Sequence, residues 1–244
     1  MSADRNTPAV ELDAVGFRYE DMQMRFSLSV PSGAFLAVIG PSGSGKSTLL
    51  NLIAGFERPL SGEVQLFGVA MGDTSPAERP VTMLFQDHNL FAHLDVAANV
   101  GLGIDPGLRL SAADREKVSV ALAEVGLAGF EKRRPAQMSG GERQRVALAR
   151  CLVRNRPILL LDEPFAALGP RMRHDMLALV DELRRTHGLS VVMVTHSPTD
   201  ARRGADLTAF VLAGEVRRVE PTAKLLAHRD DAALNDYLGD VGES

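Results

Sequence analysis

The sequence predicts an α/β fold with a parallel sheet, an N-terminal antiparallel β subdomain and an inserted α-helical subdomain. Residues 10–30 alternate apolar and polar side chains, which is typical of paired strands with one exposed face. From about residue 95 to residue 156 the apolar positions follow a helical period. Four short and mainly apolar runs complete the pattern, at 35–39, 81–85, 158–161 and 191–195. Such runs are typical of parallel strands that are covered on both faces.

The length of 244 residues is enough for one substantial core or for a core with a small subdomain. We predict a single domain, with a core at about 1–86 and 157–220, a helical subdomain at about 87–156 and a tail at 221–244. Hydrophobic residues make up 45% of the chain and charged residues 24%, as in ordinary globular domains. The net charge of −4 gives no general basic surface, so nucleic acid is not a predicted partner.

The cysteine count and the hydropathy pattern indicate the cellular environment in which the chain is expected to work. A single cysteine, Cys151, excludes an intrachain disulfide and fits a reducing environment. Residues 1–8 are polar and lack the apolar stretch of a signal peptide. Because no run approaches the roughly 20 apolar residues that span a bilayer, we expect any membrane role to come through a partner protein.

The segments between the strands predict the connecting elements. Residues 68–80, rich in Gly, Ser, Asp and Pro, predict a surface loop. A helix begins after Ser111, whose hydroxyl can cap it. Pro170–His187 predicts another helix, and a last strand pair falls within 207–219. The tail is expected to be a short helical segment at most. One stripe of the Pro170–His187 helix is predicted to be core and consists of Met172, Met176, Leu179 and Leu183.

The run from residue 40 to residue 48 predicts a phosphate-binding loop and hence a P-loop NTPase core. It reads GPSGSGKST and matches G-x-x-x-x-G-K-[ST] between a predicted strand and a predicted helix. Glycines let backbone N–H groups approach a triphosphate, and the helix N-terminus adds further donors. Lys46 supplies a positive charge and Ser47 a hydroxyl for Mg²⁺. The predicted nucleotide-binding residues are Gly40, Pro41, Ser42, Gly43, Ser44, Gly45, Lys46, Ser47 and Thr48.

Polar residues follow the other three apolar runs. Gln86 follows the second, Asp162 and Glu163 the third, and His196 the fourth. Ligands bind outside the carboxyl ends of parallel strands, so we expect these residues to converge on the nucleotide held by Lys46. Asp162 suits Mg²⁺ ligation, and Glu163 suits a general base that activates or orients the attacking water. The alternatives are a solvated acidic loop for the two acids and a structural role for the histidine.

Residues 139–142 read SGGE and support two compatible interpretations. S-x-x-E is a capping box, and a helical pattern follows at 143–153. A capped helix N-terminus with two glycines is also an anion site. Since Lys46 already serves one phosphate site, the second site fits a nucleotide bound to another copy of the chain. Its predicted residues are Ser139, Gly140, Gly141 and Glu142.

In this combination and order, the motifs resemble those of the ATP-binding subunits of ABC transporters. GPSGSGKST is similar to the Walker A motif, ILLLDEP to the Walker B motif and MSGGERQRVALAR to the signature. A phosphate loop by itself leaves kinases and GTPases open, whereas these do not need the signature. The resemblance makes His196 the switch histidine and Gln86 the Q-loop residue, and it implies that both take part in catalysis together with Glu163. It also implies that Gln86 binds Mg²⁺ together with Ser47 and Asp162.

The resemblance implies ATP and Mg²⁺ as cofactors and a head-to-tail homodimer with two ATPs at its interface. Ser139 and Gly141 would contact the γ-phosphate of the ATP held by Lys46 of the other copy. Tyr19 fits the aromatic residue that stacks on adenine, although aromatic residues are also common in strands for packing alone.

Nearly the whole chain resembles the ATP-binding subunits of bacterial thiamine importers, through segments such as LLNLIAGF, PVTMLFQDHNLFAHLDVAANVGLG and RCLVRNRPILLLDEPFAAL. The resemblance implies that ATP hydrolysis drives uptake of thiamine and its phosphate esters through transmembrane permease subunits. A periplasmic thiamine-binding protein would deliver the substrate. The chain would lie on the cytoplasmic face of the inner membrane, with the permease near Leu90, Phe91 and Leu94. Those three residues fit the core of the helical subdomain equally well.

Three positions depart from the pattern of that family. Met138 stands where Leu is usual, a change that conserves volume, and Glu142 stands where Gln is common. Gly169 replaces the aspartate of the family's D-loop, which here reads AALG. Glycine at a helix N-cap costs only a few tenths of a kcal/mol, but a carboxylate that helps to organise the dimer interface is missing. The rate and the coupling of hydrolysis are the properties this change affects.

Two other functions fit part of the sequence. Importers of polyamine, iron or sulfate use similar ATPases, which often carry an additional C-terminal domain for which 244 residues leave no room. Soluble ABC ATPases of DNA repair or translation usually have coiled-coil insertions or tandem nucleotide domains, and this sequence shows neither heptads nor a repeat.

Overall fold

The computed structural model describes residues 7–85, 90–228 and 230–242, with side chains as far as residue 239. Ten strands are described in this part of the chain. They are β1 Val10–Tyr19, β2 Met22–Val30, β3 Phe35–Ile39, β4 Ser61–Leu66, β5 Val69–Ala70, β6 Val81–Leu84, β7 Ile158–Asp162, β8 Ser190–Val194, β9 Leu207–Leu212 and β10 Glu215–Pro221.

All ten strands form one mixed sheet, in the order β5-β4-β1-β2-β10-β9-β3-β8-β7-β6. The strands β3, β8, β7 and β6 pair in parallel, and nearly all of their residues are buried, which confirms the prediction from the apolar runs. The strands β1, β2, β4 and β5 are antiparallel, as predicted for the N-terminal part. The two parts are continuous because β10 pairs with β9 on one side and with β2 on the other.

Eight helices lie in the described residues. They are α1 Lys46–Ala54, α2 Val96–Gly101, α3 Ala112–Glu124, α4 Gly140–Val153, α5 Pro170–His187, α6 Pro198–Gly204, α7 Thr222–Leu225 and α8 Ala232–Gly242. None of them, within the residues described, has both the length and the apolar character that crossing a membrane requires. Ser111 caps α3 in a full capping box with Asp114, as its sequence indicates.

The sheet separates two hydrophobic clusters. The cluster on one side combines residues of α1 with the antiparallel strands β1 and β2. The other combines residues of α2, α3, α4 and α5 with side chains of β7 and β8. As a result α1, which follows the phosphate loop, lies on one face of the sheet, and the helix that carries the signature sequence packs over the other.

One residue of the predicted stripe on α5 is not core. Met176, Leu179 and Leu183 are buried, as expected, whereas Met172 is 42% exposed. Met172 lies in the first turn of α5, and its thioether packs directly against Gly141 at the start of α4. The helical period located the other three residues of the stripe correctly, but the first turn of α5 extends past the core to the first turn of α4.

The tail is a larger part of the core than the sequence predicts. It contains α7 and α8, and Leu225 and Leu234 are fully buried. These two side chains cluster with Phe210 on β9 and Ile39 at the end of β3. The tail is short and helical, as expected, but its burial was not predicted, and the final helix packs behind the phosphate loop.

The segment 68–80 is likewise more than a surface loop, because Arg79 near its end is only 2% exposed. The Arg79 guanidinium donates to the carbonyls of Leu52 (2.8 Å) and Ile53 (3.0 Å), which belong to the last turn of α1, and to Thr74 O (3.1 Å). The last carbonyls of a helix have no partner within the helix, so Arg79 satisfies groups that would otherwise be buried unpaired.

We predict that Arg79→Met, which keeps much of the volume but removes the donors, lowers the free energy of unfolding by about 1–3 kcal/mol. The matched control is Arg58→Met, because Arg58 forms an ion pair with Asp73 in which both side chains are largely exposed. That change should alter stability by less than about 0.5 kcal/mol. Urea titration of the three proteins checks both values, and equal stability of the two variants would contradict the role given to Arg79.

Candidate nucleotide-binding site

The phosphate loop connects the end of β3 to the start of α1, and two glycines fix its path. Gly40 has φ 149, and a Cβ at this position would clash with the carbonyl oxygen of Val211. Gly45 has φ 100 at the N-cap of α1, where side chains are strained. Among the described residues no side chain caps α1 at this end. The first N–H groups of α1 are thus directed at the loop, in the geometry that binds anions.

Lys46 lies buried under this loop, with 6% of its surface exposed. Its ammonium donates to Gly40 O (2.8 Å) and to Pro41 O (2.7 Å). Burial lowers the pKa of Lys46, and the nearby carboxylates of Glu163 and Asp162 oppose that change by favouring the charged form. The lysine is therefore held in place before any ligand binds, with its charge directed toward the loop.

Asp162 and Ser47 meet across the edge of the sheet. Ser47 is the second residue of α1, and its hydroxyl donates to Asp162 Oδ1 over 3.1 Å. Burial raises the pKa of Asp162, and the neighbouring Glu163 adds to this rise, while the Ser47 hydrogen bond and Lys46 oppose it. A hydroxyl and a carboxylate at this separation form the hard oxygen donor set that Mg²⁺ prefers.

Glu163 and His196 follow β7 and β8, and their side chains are adjacent. His196 Nδ1 lies 3.4 Å from Glu163 Oε2, and both side chains remain partly exposed. Glu163 has φ 44, in the left-handed region, while its N–H donates to Val194 O at 3.1 Å. A left-handed glutamate is strained, and such strain concentrates at functional positions. The turn directs the carboxylate of Glu163 over the sheet edge beside Asp162.

The other loop residues support a fit to a phosphate-bearing ligand. Ser44 Oγ is buried and has no hydrogen-bond partner among the described residues. Ser42 and Gly43 are exposed at the tip of the loop, and Thr48 is partly buried in the first turn of α1. A buried hydroxyl without a partner in the described structure needs an acceptor, which a phosphate oxygen can supply.

Gln86 and Tyr19 are the two remaining residues that the sequence predicts for this site. Gln86 lies outside the described residues, so only the end of its strand, β6, is placed. Tyr19 is the last residue of β1 and is 58% exposed, so it is not a core aromatic residue. Exposure leaves its ring accessible to a ligand.

Residues 139–142 form the N-terminus of α4. This helix packs on the face of the sheet opposite to α1, which begins with Lys46. Ser139 Oγ accepts from Glu142 N (3.3 Å), and Glu142 Oε2 accepts from Ser139 N (2.7 Å), which confirms the capping box. Gly140 and Gly141 form the first turn of the helix, and a Cβ at Gly141 would clash with Met172. Ser139 itself is exposed.

Sequence reasoning missed Arg173 on α5. Its guanidinium donates to Ala166 O (3.1 Å) and lies 3.8 Å from Asp200 Oδ1. Asp200 in turn accepts from Thr195 Oγ1 at 2.9 Å, directly before His196. Arg173 therefore connects the loop after β7 with the loop after β8. No motif marks it in the sequence, because the connection exists only between elements that are distant along the chain.

The fold and this loop geometry define the class of protein, a P-loop nucleoside triphosphatase. A family model described as ABC transporter matches residues 24–166, which is more than half of the chain. The chain belongs to the ATP-binding proteins of the ABC transporter family and is an ATPase of that family. This finding excludes the P-loop kinase and GTPase alternatives.

Curated relatives match over nearly their full length. The chain is 54% identical to the Thiamine import ATP-binding protein ThiQ of Rhizobium meliloti, covering 97% of this chain and 100% of the relative. It is 52% identical to the protein of the same name from Brucella suis, covering 95% of this chain and 96% of the relative.

Solved structures agree with the fold. The ATP-binding cassette MJ1267 in its ADP conformation superposes with a TM-score of 0.87 at 24% identity, covering 96% of this chain and 100% of that one. The dimeric structure of MJ0796, a bacterial ABC transporter cassette, has a TM-score of 0.74 at 32% identity and covers 87% of this chain and 98% of that one.

Gly169 is the N-cap of α5, with extended backbone angles, and no described atom lies within 4 Å of a Cβ built there. We predict that Gly169→Asp folds normally and raises the free energy of unfolding by a few tenths of a kcal/mol, since the carboxylate can accept from N–H groups of the first turn. The same change should alter the ATPase rate or its coupling to transport. Gly169→Ala, which adds a Cβ without a carboxylate, is the control. If both variants hydrolyse ATP like the native protein and couple it equally well, the missing carboxylate is neutral.

Proposed function

We propose that this chain is the energy-coupling ATPase subunit of an importer for thiamine and its phosphate esters. The ATPase part is supported by one observation above the others, the placement of Lys46, Ser47, Asp162 and Glu163 at one edge of the sheet. The substrate part is supported by relatives that carry the name Thiamine import ATP-binding protein and match almost end to end.

We infer that the loop 40–48, Lys46 and the N-terminus of α1 hold the triphosphate of ATP. The buried ammonium of Lys46 would exchange its contacts with the Gly40 and Pro41 carbonyls for phosphate oxygens, which carry more negative charge. The exposed ring of Tyr19 offers a stacking surface for adenine. Each of these contacts uses a group that the fold already holds in place.

The oxygen donors of Ser47 and Asp162 fit Mg²⁺, and we assign these two residues and Gln86 to it. When bound, Mg²⁺ neutralises charge on the phosphates during transfer. Glu163 then holds and deprotonates the attacking water, whose oxygen bonds to the γ-phosphorus as the bond to the β-phosphate oxygen breaks. His196, 3.4 Å from the Glu163 carboxylate, orients that carboxylate or the γ-phosphate. The products are ADP and phosphate.

We infer that residues 139–142 complete the site of a second copy of the chain in a head-to-tail homodimer. Ser139 is exposed at a helix N-terminus, where N–H groups and the helix dipole favour an anion. The cassette MJ0796 is described as dimeric, with a post-hydrolysis state bound to ADP and Pi. Hydrolysis would then require closure of the dimer.

The transmembrane permease would bind beside residues 86–89, on the cytoplasmic face of the inner membrane. Phe91 and Phe85 on either side of this stretch are 49% and 38% exposed, and Phe85 lies 6.0 Å from the half-exposed ring of Phe56. Leu90 packs partly against the helical cluster instead. Exposed aromatic side chains are typical of interfaces, and a periplasmic thiamine-binding protein would engage the permease from the other side.

The first test of this proposal is Glu163→Gln. We expect the turnover number to fall about a hundredfold or more, because the amide cannot take the proton of water. ATP binding should persist, and the variant should form ATP-dependent dimers on size exclusion. Near-normal ATPase activity would rule out the general base, and a native protein without ATPase activity would contradict the proposal as a whole.

A second test asks whether the sites are shared between copies. Lys46→Ala and Ser139→Arg proteins should each be inactive alone, because both sites of each homodimer carry a defect. A mixed dimer has one site with both defects and one site with neither. Mixing should therefore restore ATPase activity, measured as phosphate release, whereas each variant mixed with Glu163→Gln, Ser139→Arg protein should stay inactive. A mixture no more active than its separate components contradicts shared sites.

A further inference from the structure

The side chain of Tyr237 on the C-terminal helix α8 reaches the edge of the sheet that carries His196. Its hydroxyl donates to the carbonyl oxygen of His196 at 2.8 Å. The ring lies 5.8 Å from the ring of Phe210 on β9, and only 8% of the residue is exposed. A residue from the tail thus holds the backbone of the residue that we place beside Glu163.

The surroundings of the phenol connect it to the rest of the site. Burial raises the pKa of Tyr237 to about 12, with smaller increases from the negative charges of Glu163 and Asp200 and a decrease from a hydrogen bond with the Gly40 backbone. The phenol is therefore protonated throughout the neutral range and remains a donor to His196. It lies where the first residue of the phosphate loop and the loop after β8 approach each other.

The start of α8 is fixed, so Tyr237 is not on a loose segment. Asp231 Oδ1 accepts from Leu234 N at 3.2 Å, as an N-cap does, and Asp231 Oδ2 lies 3.2 Å from Arg218 Nε on β10. Leu234 is fully buried. The helix is anchored to the sheet one to two turns before Tyr237.

The other hydrogen bonds described for the loop after β8 belong to the neighbours of His196, such as that from Thr195 N to Val38 O at 3.1 Å. Thr195 and Asp200 are bonded to each other, and Ser197 N donates to Thr195 Oγ1 at 3.1 Å. The His196 side chain is 52% exposed, and its described polar contact is with Glu163. Its placement therefore depends on the backbone that carries it.

We propose that Tyr237 is a positioning residue for ATP hydrolysis, whose hydroxyl holds the His196 backbone so that the imidazole lies beside Glu163. This inference depends on the proposed function of His196 and Glu163. It makes the tail a part of the catalytic apparatus, whereas a purely structural tail would contribute packing alone.

Tyr237→Phe tests the proposal because it keeps the ring on Phe210 and removes only the hydroxyl. We expect kcat for ATP to fall about fivefold, equivalent to one ordinary hydrogen bond, while KM stays within about twofold. The His196 side-chain signal in ¹⁵N-histidine NMR, assigned by its loss in His196→Ala, should shift in the Tyr237→Phe protein without nucleotide.

The control is Thr222→Val on α7, which also deletes a buried hydroxyl that bonds a backbone carbonyl, that of Ala205 at 2.8 Å. This hydroxyl also lies in hydrogen-bond contact with Thr208 Oγ1 at 2.9 Å, so the control removes at least as many hydrogen bonds as Tyr237→Phe. Thr222→Val should lower the melting temperature at least as much as Tyr237→Phe, yet leave both kcat and the His196 signal unchanged. If Tyr237→Phe keeps the native kcat, or if both variants lose kcat equally, the positioning role is wrong. If instead the native protein hydrolyses no ATP, the proposed function is contradicted, and this result is distinguishable from a failure of the positioning role.

Discussion

The parallel pairing of β3, β8 and β7 is the constraint on which the nucleotide site depends. Val38 pairs with Val194, and Val194 pairs with Asp162, so the three strands end at the same level of the sheet. The groups that follow them, the phosphate loop, Glu163 and His196, are therefore neighbours although they are far apart in the sequence. Because the strands are buried on both faces, they cannot shift register without exposing apolar side chains, and the positions of the polar groups are correspondingly rigid.

Several groups of the site lower the stability of the folded chain when no ligand is bound. Lys46 is a buried cation, Ser44 has an unpaired hydroxyl within the described structure, and Glu163 has a left-handed backbone. Each feature costs free energy in the absence of a ligand. An anion with several oxygen atoms on the loop offsets the costs at Lys46 and Ser44, whereas the backbone strain at Glu163 is independent of that anion. The surrounding sheet and the two hydrophobic clusters hold these groups in place.

Two elements outside the parallel strands connect the site to the rest of the molecule. On one side Arg173 links the loop after β7 to Asp200 and so to the loop after β8. On the other side Tyr237 links the tail to the carbonyl of His196. Movement of α5, which also contacts Gly141 through Met172, or of α8 would therefore displace groups at the edge of the sheet that carries Glu163 and His196. A transport ATPase requires such mechanical connections between its interfaces and its site.

Local patterns in the sequence were enough to predict the α/β class, the parallel strands, the phosphate loop and the capping boxes at Ser111 and Ser139, because each depends on neighbouring residues and on a short period. The burial of Arg79 and Tyr237 and the exposure of Met172 were not predictable in this way. A loop rich in glycine and proline carries no local signal of burial, and the apolar residues of the tail do not show which distant element they pack against. The sequence by itself determined which chemical groups the protein has. Only the tertiary structure decided that the tail hydroxyl meets the His196 backbone, because that contact requires the whole sheet to bring α8 and β8 together.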